Sequence, residues 1–302
     1  MFKKIVLFLS VVSISFGYDL KPIQISKSVY QFVGKTEAPS KANGGNMVNT
    51  YWIKTDKSYI VVDTGPSYNY AKDAHKAMKK IADLPIKYVI NTHMHDDHWL
   101  GNNYFKELGA TIYGTKAQAK KFPVGSEAHM LSVIKKEDSA NTKIINIDTF
   151  VEKDFSMKVD NTPLDFIHFD YAVHTPEDIM IYLPEEKTLI AGDILFSQRI
   201  TSIRDGSVEG GLKSLDAVEK MDVKVYAAGH GKFTDKTALQ QMRDYFMALK
   251  TTARKAIEDG VDINTYVKTA DFSAFKDMAM MEVLHKGNLG FAYSEYEFFE
   301  EK

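Results

Sequence analysis

The chain contains no cysteine. That excludes disulfides, thiolate metal ligands, a cysteine nucleophile and lipid attachment through an N-terminal cysteine. A basic cluster is also missing: 38 Lys and Arg are scattered among 40 Asp and Glu, for a formal net charge of −2. Nucleic-acid binding needs a basic patch, so no nucleic-acid partner is expected. No Gly-x-Ser-x-Gly elbow is present, and covalent catalysis through serine has no candidate. Beyond the first residues no stretch is apolar enough to span a bilayer. What remains is a chain of 302 residues, 44% hydrophobic, long enough to bury a large core in one domain or one and a half.

The N-terminus reads as a targeting segment. Lys3 and Lys4 precede an apolar run, Ile5 to Phe16, that is short for a membrane span. Ser15 and Gly17 are small residues at the −3 and −1 positions of a cleavage before Tyr18. Residues 1–17 are therefore expected to be a secretory signal peptide, with an uncleaved anchor as the alternative. The mature protein is expected to be soluble and exported, to the periplasm in a Gram-negative cell, with no stable membrane insertion after cleavage.

The richest stretch is Asn91-Thr92-His93-Met94-His95-Asp96-Asp97-His98, which holds three of the nine histidines. It follows the β-branched run Ile86 to Ile90 and precedes a helix expected over Trp99 to Leu108, stopped by Gly109. Side chains in such a turn can converge, and imidazole and carboxylate together suit zinc and similar divalent metals.

In chain order, a strand is expected over Ile23 to Val33, a hairpin over Met47 to Ile53 and Tyr59 to Val62, and an amphipathic helix over Tyr68 to Ala82. Pro123 to Asp138 reads as a surface insertion. Strands follow at Ile144 to Ile147, Phe155 to Val159, Leu164 to Phe169, Ile179 to Leu183 and Thr188 to Ala191. A helix over Gly211 to Met221 precedes a strand over Val223 to Ala227. Strands grouped in each half, with helices between, point to an α/β protein built as an αββα sandwich. This unit runs from residue 18 to about 233. Residues 234–302 form a C-terminal helical extension, led by an amphipathic helix from Thr234 to Glu258 that Gly260 caps. The aromatic tail (Phe291, Tyr293, Tyr296, Phe298, Phe299) reads as packing against the body.

Three more candidate ligands each follow an apolar strand: His174 before Thr175-Pro176, Asp193 after Gly192, and His230 between Gly229 and Gly231. Singly, each is a weak signal, since a lone His or Asp at a strand end is more often a capping or hydrogen-bonding group. With His93, His95, Asp97 and His98 they make seven, enough for two metals and a bridging water. His168 rivals His174 but sits within an apolar run. Asp63, in Val61-Val62-Asp63-Thr64-Gly65, is either a turn residue or a partner that orients a ligating histidine. His75, His129 and His285 lack such a context and read as structural or exposed.

The two His followed by Asp-His, then a further His, Gly-Asp and Gly-His, resemble the metallo-β-lactamase-fold superfamily. The resemblance spans Ile23 to about Phe233. It implies one metal held by His93, His95 and His174 and a second by Asp97, His98 and His230, with Asp193 bridging. It implies two divalent ions, zinc foremost with iron or manganese as alternatives, and hydrolysis by metal-activated hydroxide that Asp97 orients. Where the family commonly has Gly before its third His, this chain has Val173.

The expected substrate is a small ester, thioester or amide. Asp193 and its neighbours look like the glyoxalase II branch, whereas Asp97 to Asn102 and the export signal resemble β-lactamase-like and sulfur-oxidation-associated hydrolases. Arg199 and Arg204 are candidates for binding a substrate carboxylate, or else surface charges. Other readings are a mononuclear iron sulfur dioxygenase and a metal-binding protein without turnover. His95 replaces the Glu typical of the flavin-coupled diiron branch. Sequence leaves the oligomeric state open.

Overall fold

The computed structural model describes residues 17–232 and 234–298. Its architecture is the expected αββα sandwich with C-terminal helices. The first sheet holds β1 (Ile23–Gln24), β2 (Val29–Phe32), β3 (Thr50–Lys54), β4 (Tyr59–Val62), β5 (Ile86–Ile90), β6 (Thr111–Gly114) and β7 (Thr149–Phe150), side by side in chain order. The second holds β8 (Phe155–Val159), β9 (Thr162–Phe169), β10 (Asp178–Leu183), β11 (Thr188–Phe196) and β12 (Val225–His230). Pairing is antiparallel except along β4-β5-β6-β7 and between β11 and β12. The signal-peptide reading covers residues 1–17, of which all but Gly17 lie outside those described. No helix among the described residues is long and apolar enough to cross a membrane.

Strand alternation builds the layers. Tyr51, Ile53, Ile60 and Val62 point inward to meet Phe166, Ile179, Ile181 and Ile190 of the other sheet. Their neighbours Trp52, Tyr59 and Val61 face outward, onto α1 (Tyr68–Met78) and α3 (Asn102–Glu107). On the far side, Met180, Leu189 and Ala191 face α7 (Val208–Glu219), α8 (Thr237–Glu258), α9 (Ile263–Thr269) and α10 (Met281–Glu297). The C-terminal helices thus share one core with the second sheet. Tyr293 and Tyr296 are buried in it, as the aromatic tail predicted, while Phe291 and Phe298 are exposed.

Several local expectations need correction. Ile23 to Val33 is a small hairpin, because Ser26 and Ser28 turn the chain onto the Glu186 carboxylate. The helix after the histidine motif starts earlier and is broken: α2 (Asp96–Trp99) ends at Leu100, where the Gly101 amide donates to Gly65 O at 3.2 Å rather than into a helix. Ile144 to Ile147 is not a strand. Pairing with β6 begins at Asp148, which exchanges hydrogen bonds with Ile112 through both its amide and its carboxylate. Three short helices cover this side: α4 (Lys116–Lys121), α5 (His129–Val133) and α6 (Lys136–Ser139).

α10 is fastened by Asn288, almost fully buried. Its Nδ2 donates to Thr201 O (2.7 Å) and Tyr245 Oη (2.9 Å), and its Oδ1 accepts from Ile203 N (3.1 Å). Asn288→Ala strips these partners inside the protein, at a cost of about 3 kcal/mol. The denaturation midpoint should fall accordingly; an unchanged midpoint would show that the helix is held elsewhere.

Candidate metal centre

The site lies at the carboxyl ends of β4, β5, β11 and β12, where the two sheets are stitched together. Asn49 joins them: its amide donates to Gly229 O (2.7 Å) and its Nδ2 to Ala228 O (2.8 Å) and Gly231 O (2.6 Å). The Ile179 amide, at the start of β10, donates to Thr92 O at 2.8 Å. These bonds bring His93 and His95 from the β5 loop, Asp97 and His98 from α2, His174 from the β9–β10 loop, Asp193 from β11 and His230 from the end of β12 into one cluster.

Two groups form, each with ligand atoms within 4.8 Å of one another: His93, His95, His174 and Asp193 in one, Asp97, His98 and His230 in the other. Asp193 lies between them. Its Oδ2 is 3.2 Å from His174 Nε2, 3.3 Å from His230 Nε2 and 3.8 Å from His93 Nε2, and its Oδ1 is 3.2 Å from His98 Nε2. Asp97 Oδ2 sits 3.5 Å from His230 Nε2 and 3.6 Å from His98 Nε2. His95 Nδ1 is 2.8 Å from His174 Nε2.

Each imidazole is held from behind. His98 Nδ1 donates to Asp63 Oδ2 (2.8 Å), and His230 Nδ1 to Met47 O (2.6 Å). His95 Nε2 donates to Asp205 Oδ2 (3.0 Å), and His174 Nδ1 lies 3.2 Å from Thr201 Oγ1. His93 Nδ1 lies 3.0 Å from Thr92 Oγ1, which itself donates to Asp63 Oδ2 (2.8 Å). A proton engaged on the far nitrogen leaves a lone pair on the near one, the tautomer a metal ligand requires. Three inward atoms, His93 Nε2, His98 Nε2 and Asp193 Oδ1, are buried with no hydrogen-bond partner. Orphans of this kind are costly, and a cation satisfies all three at once, so the residues fit divalent metal ions.

The buried charges act unevenly on the cluster's members. Burial drives the His93 imidazole well below its ordinary value. Burial also opposes charge on His98, yet Asp193, Asp97 and Asp63 outweigh it and raise this histidine. Asp193 is held well below the carboxylate range: burial would raise it, and His230, His98, His174 and His93 overcome that.

All seven candidate ligands and Asp63 therefore meet. Asp63 is more than a turn residue. It sits at φ 58°, a conformation unusual outside glycine, with both oxygens accepting hydrogen bonds from the His-motif segment. Asp193 was expected in a loop after β11 but lies within the strand, at a register shift opposite β12. There Gly229 gives it room, since a Cβ at that position would come within 2.0 Å of Asp193 Oδ1. His168 stays on β9, away from the cluster. Val173 is tolerated before His174 because its side chain enters the core and the close approach is supplied by Gly206, whose Cβ would meet Val173 O at 2.2 Å.

Of the other histidines, His75 is buried against Trp52 and Tyr104, and His285 packs on Tyr245 and Phe272. His129 is exposed, as expected, and also lines the cleft over the metal groups. Arg199 is buried, and Arg204 is exposed and paired with Asp205. Sequence reasoning missed Asp205, Thr201 and the Met47 carbonyl. Asp205 lies 12 positions past Asp193 in a polar turn with nothing to mark it.

An αββα sandwich with paired His/Asp groups at its strand ends defines a metal-binding hydrolase architecture. The chain belongs to the metallo-beta-lactamase superfamily, whose sequence profile matches residues 43–230. Its relatives are hydrolases, and it is an enzyme of that class. It is 24% identical over 235 residues to a metallo-beta-lactamase type 2 of Elizabethkingia meningoseptica, covering 76% of this chain and 87% of that one. It is 27% identical over 186 residues to a hydroxyacylglutathione hydrolase of Pelagibacter ubique (59% and 67% covered). In fold it resembles a stereoselective inverting sec-alkylsulfatase from Pseudomonas sp., with TM-score 0.69 and 17% identity over 93% of this chain, which spans 51% of that enzyme.

Asp63→Ala should lower metal affinity by about 10–100-fold, because His98 and, through Thr92, His93 lose their orientation. Chelator-competition titration measures this. Wild-type affinity in the variant would reduce Asp63 to a turn residue.

Proposed function

We propose that this enzyme is an exported dinuclear zinc hydrolase that cleaves a small ester, thioester or amide. One observation carries the reading: Asp193 lies between two histidine groups, and each group holds a buried inward nitrogen, His93 Nε2 in one and His98 Nε2 in the other, with no hydrogen-bond partner. In this reading His93, His95 and His174 would hold one ion and Asp97, His98 and His230 the other, with Asp193 between the two groups. Two such ions supply Lewis acidity for the scissile group and bring the pKa of bound water down to about 7. The protein's own part is to fix the ligands and aim them. Asp97, whose Oδ2 lies near both His98 and His230 and which lines the cleft, is placed to accept a hydrogen bond from the attacking water. With no cysteine in the chain, no thiolate competes as nucleophile.

Two relatives support the bond type, being named a metallo-beta-lactamase and a hydroxyacylglutathione hydrolase. A linear primary-alkylsulfatase from Pseudomonas sp., 25% identical over 219 residues, adds sulfate esters to the classes worth assaying; this chain spans 40% of it. Metal analysis of the purified enzyme should give two ions per chain, and His98→Ala one. Chelation should abolish turnover of S-lactoylglutathione, nitrocefin, p-nitrophenyl esters or a linear primary alkyl sulfate, and zinc should restore it. Full activity without metal would overturn the proposal. One iron per chain with oxygen uptake on a persulfide would replace it with a sulfur dioxygenase.

Export is supported by the Lys3-Lys4 start, the apolar run and the small residues before Tyr18. Tyr18 is also the point at which the chain locks on: its amide donates to Asp73 Oδ2 (2.9 Å), its hydroxyl to Gly44 O (2.6 Å), and its ring meets Tyr70 edge-on. Cleavage before Tyr18 would turn that amide into an ammonium facing the Asp73 carboxylate. N-terminal sequencing of the exported protein should read Tyr18 first; a chain that starts at Met1 would refute processing.

A further inference from the structure

The cleft over the metal groups encloses about 300 Å³ and has two unlike parts. One is a buried cation. Arg199 is 4% exposed, with its guanidinium over the Phe196 ring (5.6 Å), and Phe196 stacks on His230 (centroids 5.1 Å apart). Its Nε donates to Ile200 O (3.3 Å). Its Nη1 approaches His230 Nδ1 (3.3 Å), but that nitrogen already gives its hydrogen to Met47 O. Arg199 has no ion pair among the described residues and feels Asp193 and Asp97 only at longer range. The other part is apolar: Met280, Val283 and Leu284 of the α10 region on one side, Met130 and Pro39 on the other. Val283 is 64% exposed, an apolar side chain at the mouth of a polar site.

The two parts are one assembly. The Arg199 segment runs beside Ala279: Ile200 N donates to Ala279 O (3.1 Å) and Ala279 N to Gln198 O (3.0 Å). Asn288 then ties α10 to Thr201 and Ile203. Cation and apolar wall are therefore held at a fixed spacing.

A desolvated guanidinium without a carboxylate is expensive. Beside two divalent ions the expense grows, because their charge exceeds that of Asp97 and Asp193. An anion supplied by the ligand removes it, and a planar guanidinium suits a carboxylate, sulfate or phosphate. We propose that the substrate is an amphiphilic anion: its negative group sits on Arg199 beside the metal pair, and its apolar chain of several carbons lies along Met280, Val283 and Leu284. This rests on the dinuclear hydrolase reading for the bond that is cut, but the binding preference does not need turnover.

Isothermal titration calorimetry on the metal-loaded enzyme tests it with octane-1-sulfonate, butane-1-sulfonate and the neutral octyl methyl sulfone. A fully buried methylene is worth roughly fourfold in binding, so four methylenes covered on one side predict about tenfold tighter binding of octane- than butane-1-sulfonate. The sulfonate should also bind at least about tenfold tighter than the sulfone, as expected of a charge-assisted contact. Arg199→Met should erase the preference for charge and keep that for chain length, with Arg199→Lys retaining part of the former. Val283→Asn/Leu284→Asn, at partly exposed positions, should do the reverse. Equal binding of sulfonate and sulfone, or of octyl and butyl chains, by the wild type overturns the proposal even if Arg199→Met fails to fold. After chelation the chain-length preference should persist, since it belongs to the wall. Fewer than two metal ions per chain in the purified enzyme before chelation, with that preference intact, would instead count against the dinuclear reading.

Discussion

The near nitrogens of His93 and His98 aim inward because one carboxylate, Asp63, takes up the hydrogens on their far sides. It does so directly for His98 and through the Thr92 hydroxyl for His93. These histidines belong to different metal groups, so a single side chain sets the orientation of a donor in each. The arrangement works only if Asp63 is immobile. β4 delivers it, its own amide donates to Ile90 O (2.9 Å), and its left-handed backbone turns both oxygens toward Thr92 and His98. Backbone strain of this sort persists where the surroundings over-determine it. Here they comprise two parallel strands and a fully buried hydrogen-bond network.

The rest of the centre is arranged about that fixed corner. Asp193 enters from the other sheet, and its partners are imidazoles rather than backbone donors. That makes the cluster costly as a purely structural core and favourable as a cation site. The stitching at Asn49 and the Thr92–Ile179 bond keep the two sheets from sliding, which holds the spacing of the two histidine groups. Strand ends and the short segments that follow them thus carry the candidate ligands, while most of the groups behind them come from other loops.

That division explains what could be read from the sequence. Period-two patterns in Tyr51 to Ile53 and Tyr59 to Val62, and the apolar runs of the second sheet, revealed the layers because burial on alternate faces leaves its mark in residue order. The candidate ligands could be picked out because a metal demands particular side chains, and those follow strands. The groups that orient them could not. The Met47 carbonyl could belong to any residue, Thr201 is one threonine among many, and Asp205 reaches His95 only through the folding of a distant turn. The broken helix at Leu100–Gly101 was hidden for a related reason: its amide is claimed by Gly65 in another element. Asp193 looked like a loop residue because Gly192-Asp193 reads as a strand stop, whereas β12 pairs on past it.

The C-terminal helices show the same asymmetry in another form. Read as a sequence, residues 234–302 are an appendage whose aromatic residues pack inward, and Tyr293 and Tyr296 do. Yet the segment also presents Met280, Val283 and Leu284 to the cleft and is bonded to the loop that carries Arg199. The ligand atoms sit on strand ends and motif loops, and the surfaces that would meet a substrate's body sit on α10 and the loop after β11. On that proposal, substitutions in α10 would alter what enters the cleft without moving a candidate metal ligand, in keeping with function that lives in sites grafted onto a shared fold.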